Sequence, residues 1–545
     1  INVLMSVFLF VPFVYGSPAD EVQKEEVSNK AVKSALRAHI EFLADDLLKG
    51  RATGSEEYEI AAKYVASHFK QFGLKPGGNN NSWFQSVPII KSTLIENDAQ
   101  FILNAGDKPT EFSYPQQFIS GSSAISVKDE VTAELVFIGY GIVSKELDHD
   151  DYAGLDVKGK IVVMLAGNPA SFPSEEGAHL SSGTEKSRHA AEHGAVAMIT
   201  LHTPQRNEVR SYEQILPHAG KPSLRWKDKQ GGVFGNYLSL KGSAYLPIET
   251  GEKIFNAAGY NLYKIFALME RNIIPAGFTM GVTATLKRKS SHEMMSSSNV
   301  IGILEGSDPI LKNEYVVYTG HLDHLGVGGD GADKINNGAL DNASGIAIML
   351  ETARRFSQGE RPKRSIMFIA VTGEEKGLLG SNYFAHYPTV PVSSMVGVIN
   401  LDMPLILYPF ADVIVFGAQH STMTGFVKSA AAKYQIKLSP DPMPEQAVFV
   451  RSDHYSFVKQ GVPAIYLVTG FESKNPEING NEFFSKHYHR PSDDISLPID
   501  YEAGLTFTKI NFTIGQSIAN SPLRPRWNEG DYFGKAFSKV VKKEH

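Results

Sequence analysis

Past residue 297 the chain repeats one unit: a short apolar run, a turn rich in glycine or acid, then a helical stretch. The runs are EYVVYTG (314–320), SIMFIAVTG (365–373), VGVINLDM (396–403), DVIVFG (412–417) and PAIYLVTG (463–470). They are continuous rather than alternating, which suits strands covered on both faces, as in a parallel sheet between layers of helices. Helical patterns over 343–356 and 421–434 separate them. An α/β fold with a mostly parallel central sheet flanked by helices is predicted. In such sheets ligands gather beyond the carboxyl ends of the strands.

At 545 residues the chain is long for one core, so two domains are expected. Helices are predicted over 33–48 and 55–72, the second opened by a capping-box-like pair, Thr53 and Glu56. From about 105 to 285 short apolar runs alternate with Gly, Pro and Ser, as in AELVFIGYGI (133–142), DVKGKIVVML (156–165) and HGAVAMITL (193–201). Its histidines are scattered, and the block reads as a β-rich insertion without chemistry of its own. The division predicted is a signal peptide over 1–16, a catalytic domain from 33–105 and 286–522, an insertion over 106–285 and a tail over 523–545.

INVLMSVFLFVPFVYG carries no charge and is too short to span a bilayer, which needs about 20 residues; it reads as the apolar core of a secretory signal. The chain has no cysteine, so disulfides, thiol nucleophiles and sulfur metal ligands are excluded. Export without disulfides suits a periplasmic or extracellular setting. A formal charge of -6 with no long basic run argues against nucleic acid as a partner.

The ends of the apolar runs carry the chemistry. They supply His321, Asp323 and His324 (HLDHLG), Asp341 (GALDNASG), Glu374 and Glu375 (TGEEKG), Asp402 (NLDMP) and His489 (YHRPSDD, with Asp493 and Asp494 behind it). So many carboxylates at one sheet edge demand compensation, and a cation is the natural one. Nitrogen and oxygen donors without sulfur fit zinc first, with cobalt or manganese also compatible. The candidates are too many for one open tetrahedral site and suit two ions sharing a carboxylate. Glu374 and Glu375 project to different sides, so one can bind metal while the other serves as base. Asp323 fits a carboxylate that orients the His321 imidazole. His324 reads as a packing residue, Asp453 and His454 as braces of the cleft, and either His487 or His489 has the composition of a ligand.

Together HxD, DNASG, GEE before GLLGS, NLDM and HxPxD resemble the two-zinc exopeptidase family of bacterial leucyl aminopeptidase, glutamate carboxypeptidase and glutaminyl cyclase. The resemblance covers 33–130 and 286–520, and the block between is similar to the protease-associated domain inserted in many members. It implies two zinc ions, one held by His321 and Asp402 and the other by Glu375 and His489, with Asp341 bridging. It further implies Glu374 as general base toward a water between the ions, Asp323 as brace of His321, and peptides with a free amino terminus as substrates. Leu340 departs from the pattern, since members often carry an acid there. The loop FESKNPEINGNEFFSKH (471–487) is expected over the cleft.

Gly326, Gly328 and Gly331 spell GxGxxG, but no helix pattern follows, so a dinucleotide site is rejected. No GxSxG elbow occurs. The expected function is an exported zinc aminopeptidase. Its alternatives are a carboxypeptidase or dipeptidase, for which Arg451 is the nearest cation to receive a carboxylate, and a silent receptor-like relative.

Overall fold

In the computed structural model the described residues are 18–541, apart from 329–330 and 474–480, so the leader expected over 1–16 lies outside them. No helix among them is long and apolar enough to cross a membrane. The five apolar runs form neighbouring strands. From the long strand Phe278–Leu304 the order is Ser365–Val371, Tyr315–His321, Met395–Leu401, Ala464–Thr469, Asp412–Phe416 and Lys437–Ser439. The pairings from Ser365–Val371 through Ala464–Thr469 are parallel. Those to Phe278–Leu304 and Asp412–Phe416 are antiparallel.

Two-sided burial explains the continuous apolar runs. Ile366, Phe368 and Ala370 face a core shared with helices Glu56–Gln71, Gly345–Gln358 and Tyr501–Asn520. Their neighbours Met367, Ile369 and Val371 face a second core with Phe384, Tyr455 and Phe457. Alternate residues of one strand thus serve opposite layers.

The insertion has its own core, built on Phe101, Phe137, Val163, Ile199 and Phe255. Its strands Lys128–Phe137, Ile161–Leu165, Ala197–Leu201 and Ser243–Leu246 run parallel in that order. Phe278–Leu304, 27 residues long, joins the two units. It pairs with Lys128–Phe137 near one end and Ser365–Val371 near the other. The boundary expected at 285–286 therefore falls inside one strand. Likewise Gln100–Asn104, placed in the catalytic part, pairs with Thr283–Lys287 and packs into the insertion core.

Two local features hold the functional edge in place. Helix Glu56–Gln71 is capped by Ser55, whose hydroxyl accepts from the Tyr58 N–H, rather than by Thr53. Thr53 donates instead to Asp323 Oδ2 at 2.8 Å, because the turn carries it into the sheet edge. The buried Arg51 donates to the carbonyls of Leu322 (3.0 Å), Asn337 (2.6 Å), Gly338 (3.2 Å) and Leu43. One planar guanidinium thereby joins the N-terminal helix to the two loops carrying His324 and Asp341.

A second clamp joins the insertion to the remainder. The imidazole of buried His420 lies between Asp531, 2.6 Å from Nδ1, and Glu175 of the insertion helix Ser174–Ser181. Burial opposes its charge, but these two carboxylates outweigh that and raise it to about 9.

Arg51→Met is expected to cost roughly 3 kcal/mol or more, because buried carbonyls lose their donors; a thermal unfolding curve within about a degree of wild type would refute this. His420 has its folded pKa above the ordinary ~6.5. Its contribution, at most about 3 kcal/mol, is complete below pH ~6.5 and disappears as pH rises through about 9. The Tm advantage of wild type over His420→Gln should therefore shrink between pH 6 and 10, and a constant difference would contradict the clamp.

Candidate metal centre

His321 is the last residue of its strand, Asp402 follows Met395–Leu401, and Glu374 and Glu375 follow Ser365–Val371. The chain turns into the two glutamates through Gly373, whose φ of 67° is left-handed and where a Cβ would meet Leu379 at 2.9 Å. Asp341 lies in the irregular turn Ala339–Ser344 leading into helix Gly345–Gln358. Asn342 locks that turn to the strands. Its amide donates to the carbonyls of His321 (3.2 Å) and Leu401 (2.9 Å), and its oxygen accepts from the N–H of Gly345 (3.1 Å) and Met403 (3.2 Å).

The five expected ligands come together at this edge. His321 Nε2 lies 3.1 Å from Asp402 Oδ1 and 3.2 Å from Asp341 Oδ1. His489 Nε2 lies 3.3 Å from Asp341 Oδ2 and 3.2 Å from Glu375 Oε2. The two oxygens of Asp341 thus face two different groups of donors. The acids and His321 are nearly sealed from solvent, whereas the His489 side chain is 36% exposed.

Burial and neighbouring charges perturb these groups in opposite directions. Burial pushes Glu374 well above the usual carboxylate range, and the charges of Asp402, Glu375 and Asp453 add to the shift. Burial would lower His321, yet Asp402 and Glu374 hold it well above its ordinary value. Burial likewise opposes the charge on His489, but Asp341 and Glu375 raise it to about 10. Glu375 is held near 2: burial and Asp341 push it up, and His324 and His489 more than compensate.

Asp323 does not do what its spacing suggests. His321 Nδ1 lies 3.0 Å from the main-chain oxygen of Asp323, not from its carboxylate. The carboxylate accepts from Thr53 and from the Glu374 N–H (3.1 Å), so it orients the turn that carries Glu374. The reason is geometric: the chain turns away after the strand end, which presents the carbonyl to the ring.

His324 is not a bystander packed in a loop. It is fully buried, and its Nδ1 lies 2.7 Å from Glu375 Oε1 and 3.9 Å from Asp341 Oδ2. His321, Asp341 and Asp402 form one set of potential metal donors, and His324, Asp341 and Glu375 form another. His487 is turned away, with Nδ1 against Ser492. Asp493, behind His489, accepts from the N–H groups of Leu340 (2.9 Å) and Asp341 (3.0 Å) and so fixes the shared carboxylate. Asp453 and His454 are fully buried; burial moves them to about 7 and about 3 respectively. The roles of Arg51, Asn342 and Thr53 were missed in the sequence, since their partners lie far away in the chain: main-chain groups for Arg51 and Asn342, and the Asp323 carboxylate for Thr53.

Glu374 lines two cavities. One, of about 300 Å³, is walled by apolar residues including Met403, Leu405, Phe416, Tyr466, Phe471 and Phe484. Phe471 and Phe484 belong to the segment expected over the cleft. The other lies between the insertion and the sheet edge, with Thr184 and Arg225 from the insertion opposite Glu375, Lys459 and His489. At the start of the GxGxxG segment, Gly326–Val327 pairs antiparallel with Ile335–Asn336.

Residues 299–514 match Peptidase family M28, and residues 131–223 match the PA domain. A probable leucine aminopeptidase 2 from Aspergillus fumigatus is 30% identical over 308 residues, covering 53% of this chain and 55% of that protein. A probable zinc metalloprotease from Pyrenophora tritici-repentis is 36% identical over 258 residues, covering 42% of this chain and 58% of that protein. The chain spans about half the length of the curated relatives it matches. A solved aminopeptidase from Aneurinibacillus sp. strain AM-1 shares the fold over 91% of this chain and 95% of its own, with a TM-score of 0.52 at 21% identity. The strand-end donors all stand inside the region that matches Peptidase family M28, and the region that matches the PA domain precedes it in the chain.

Proposed function

We propose that this chain is an exported metallo-aminopeptidase that holds two zinc ions and removes single residues from peptide amino termini. The observation that carries the reading is the pair of donor groups on opposite oxygens of Asp341, with Glu374 facing both cavities beside them. Tetrahedral donors about 2.0–2.1 Å from zinc lie about 3.3–3.4 Å apart. Four separations of 3.1 to 3.3 Å, among His321, Asp341, Asp402, Glu375 and His489, fit that spacing. His321 and Asp402 would hold one ion, Glu375 and His489 the other, and Asp341 both. Bound there, zinc supplies the positive charge that acidifies water and polarises a carbonyl.

The protein's own groups do the remainder. Glu374 accepts the proton of the attacking water on its carboxylate and passes it to the leaving amine. Asp323, through the Glu374 N–H, sets the position of that base. The apolar cavity accommodates the side chain of the residue removed, and the cleft beneath the insertion accommodates the rest of the peptide. Export is supported by the uncharged stretch over 1–16 and the absence of cysteine. The proposed division keeps the insertion as a separate unit forming one wall of the cleft.

A second reading within the same chemistry rests on Arg225. Its guanidinium donates to the Leu224 carbonyl at 2.9 Å, and burial alone lowers it from its ordinary value. Among the described residues it forms no ion pair with a carboxylate. With Lys459 and Arg451 it lines the far cavity alongside Glu185, Glu374 and Glu375, and its guanidinium is suited to a terminal carboxylate, as a dipeptidase or carboxypeptidase requires.

Glu374→Gln should lower kcat by at least 10²-fold while leaving the metal content unchanged. Asp341→Asn should lose bound metal as well. Activity toward aminoacyl reporter substrates should vanish on chelation and return with zinc; an active Glu374→Gln variant would remove the base assignment. Between the two readings, an aminopeptidase cleaves Leu-Gly-amide and free Leu-Gly-Gly at similar kcat/KM and spares amino-blocked peptides. Cleavage confined to substrates with a free carboxylate, blocked or not, would establish the second reading.

A further inference from the structure

His324 reads most simply as filler, yet its surroundings are those of a designed contact. The ring is sealed from solvent and held on several sides. Its main-chain N–H donates to the Arg51 carbonyl at 3.2 Å, and it pairs in a short bridge with Ala52. Gly338 packs against the ring so closely that a Cβ there would come within 2.7 Å of the imidazole carbons. Of its two nitrogens, buried Nε2 has no hydrogen-bond partner, while Nδ1 lies 2.7 Å from Glu375 Oε1. The polarity of the ring is therefore directed at one carboxylate oxygen. A residue needed only to fill space would be apolar, because burying an unpartnered nitrogen carries a cost.

The distances also decide between holding a metal and holding a ligand. The four separations assigned to ligand pairs lie between 3.1 and 3.3 Å. Those of His324 Nδ1 are 2.7 Å to Glu375 and 3.9 Å to Asp341. The first is the length of a charge-assisted hydrogen bond, and the second exceeds the spacing of about 3.3–3.4 Å that tetrahedral donors on one zinc ion adopt. Glu375 meets two imidazoles through different oxygens: Oε1 faces His324, and Oε2 faces His489.

On the metal reading proposed above, we propose that His324 is a positioning residue for the second ion. It donates its Nδ1–H to Glu375 Oε1 and so turns Oε2 toward the place that ion shares with His489. The main chain of His324 hangs from Arg51, which also holds the carbonyls of Asn337 and Gly338. One buried arginine, through its carbonyl on one side and its guanidinium on the other, thus links the donor ring to the loop of the shared carboxylate.

The test is a chelator-competition titration of zinc on the full chain, with His324→Asn, His324→Leu and wild type compared. An asparagine amide occupies roughly the place of Nδ1 and keeps an N–H donor, whereas leucine keeps the bulk without one. Wild type should bind two ions. His324→Leu should hold one as wild type does and bind the other about 10- to 100-fold more weakly, while His324→Asn stays within about threefold. Should His324→Leu not fold, His324→Gln, whose amide falls near Nε2 instead, replaces it with the same expected loss. Equal affinities in all variants overturn the proposal. So does an Asn variant as weak as Leu, which would make the ring itself a ligand or a packing element. A wild-type chain binding fewer than two ions removes the metal reading and this assignment together; two ions with no effect of His324→Leu removes the assignment alone.

Discussion

Asp341, Glu374, Glu375 and Asp402 are gathered at one buried edge of a sheet, and like charges there repel across a low dielectric. The local architecture answers that repulsion. Imidazoles from His321, His324 and His489 stand between the acids rather than beside them. The carboxylates can approach only because the main chain is held by groups uninvolved in the chemistry: Asn342 across two strand ends and a helix start, Asp493 under the shared carboxylate, and Arg51 between loops. A parallel sheet delivers side chains to one edge, and these polar braces convert nearness into spacing.

The second consequence of that edge is where it opens. Glu374 lines both a largely apolar cavity and a second one, walled partly by the insertion, in which cations and acids are mixed. On the proposed reading, a substrate passing Glu374 would meet apolar walls on one side and Arg225 and Lys459 on the other. The insertion thereby becomes part of the site without contributing to the donor groups. Strand Phe278–Leu304, shared by both sheets, and the His420 clamp keep that wall in register with the sheet edge.

Legibility in the sequence followed the type of interaction. The strands Tyr315–His321, Ser365–Val371 and Met395–Leu401 were readable because burial on both faces leaves an unbroken apolar run. Metal-type donors were readable because few other roles place His and Asp just past such runs. Contacts made through main-chain atoms were not. Asp323 meets its histidine through a carbonyl. Nor was the distant side-chain contact by which Thr53 serves Asp323 rather than capping a helix. His324 appeared as packing since nothing local announces that Glu375, 51 residues later, would face it.

By itself the sequence determined that this chain builds a helix-covered parallel sheet and carries acids and imidazoles, without thiols, to its strand ends. Composition and hydrophobic pattern suffice for that, because burial depends on the nature of the side chain and its place in the repeat. Tertiary structure alone decided which oxygen of Asp341 faces which imidazole, which histidine meets Glu375, and that an insertion far away in sequence completes the cleft. Those outcomes depend on differences of a few tenths of an ångström between segments far apart in the chain, and no local pattern encodes such distances.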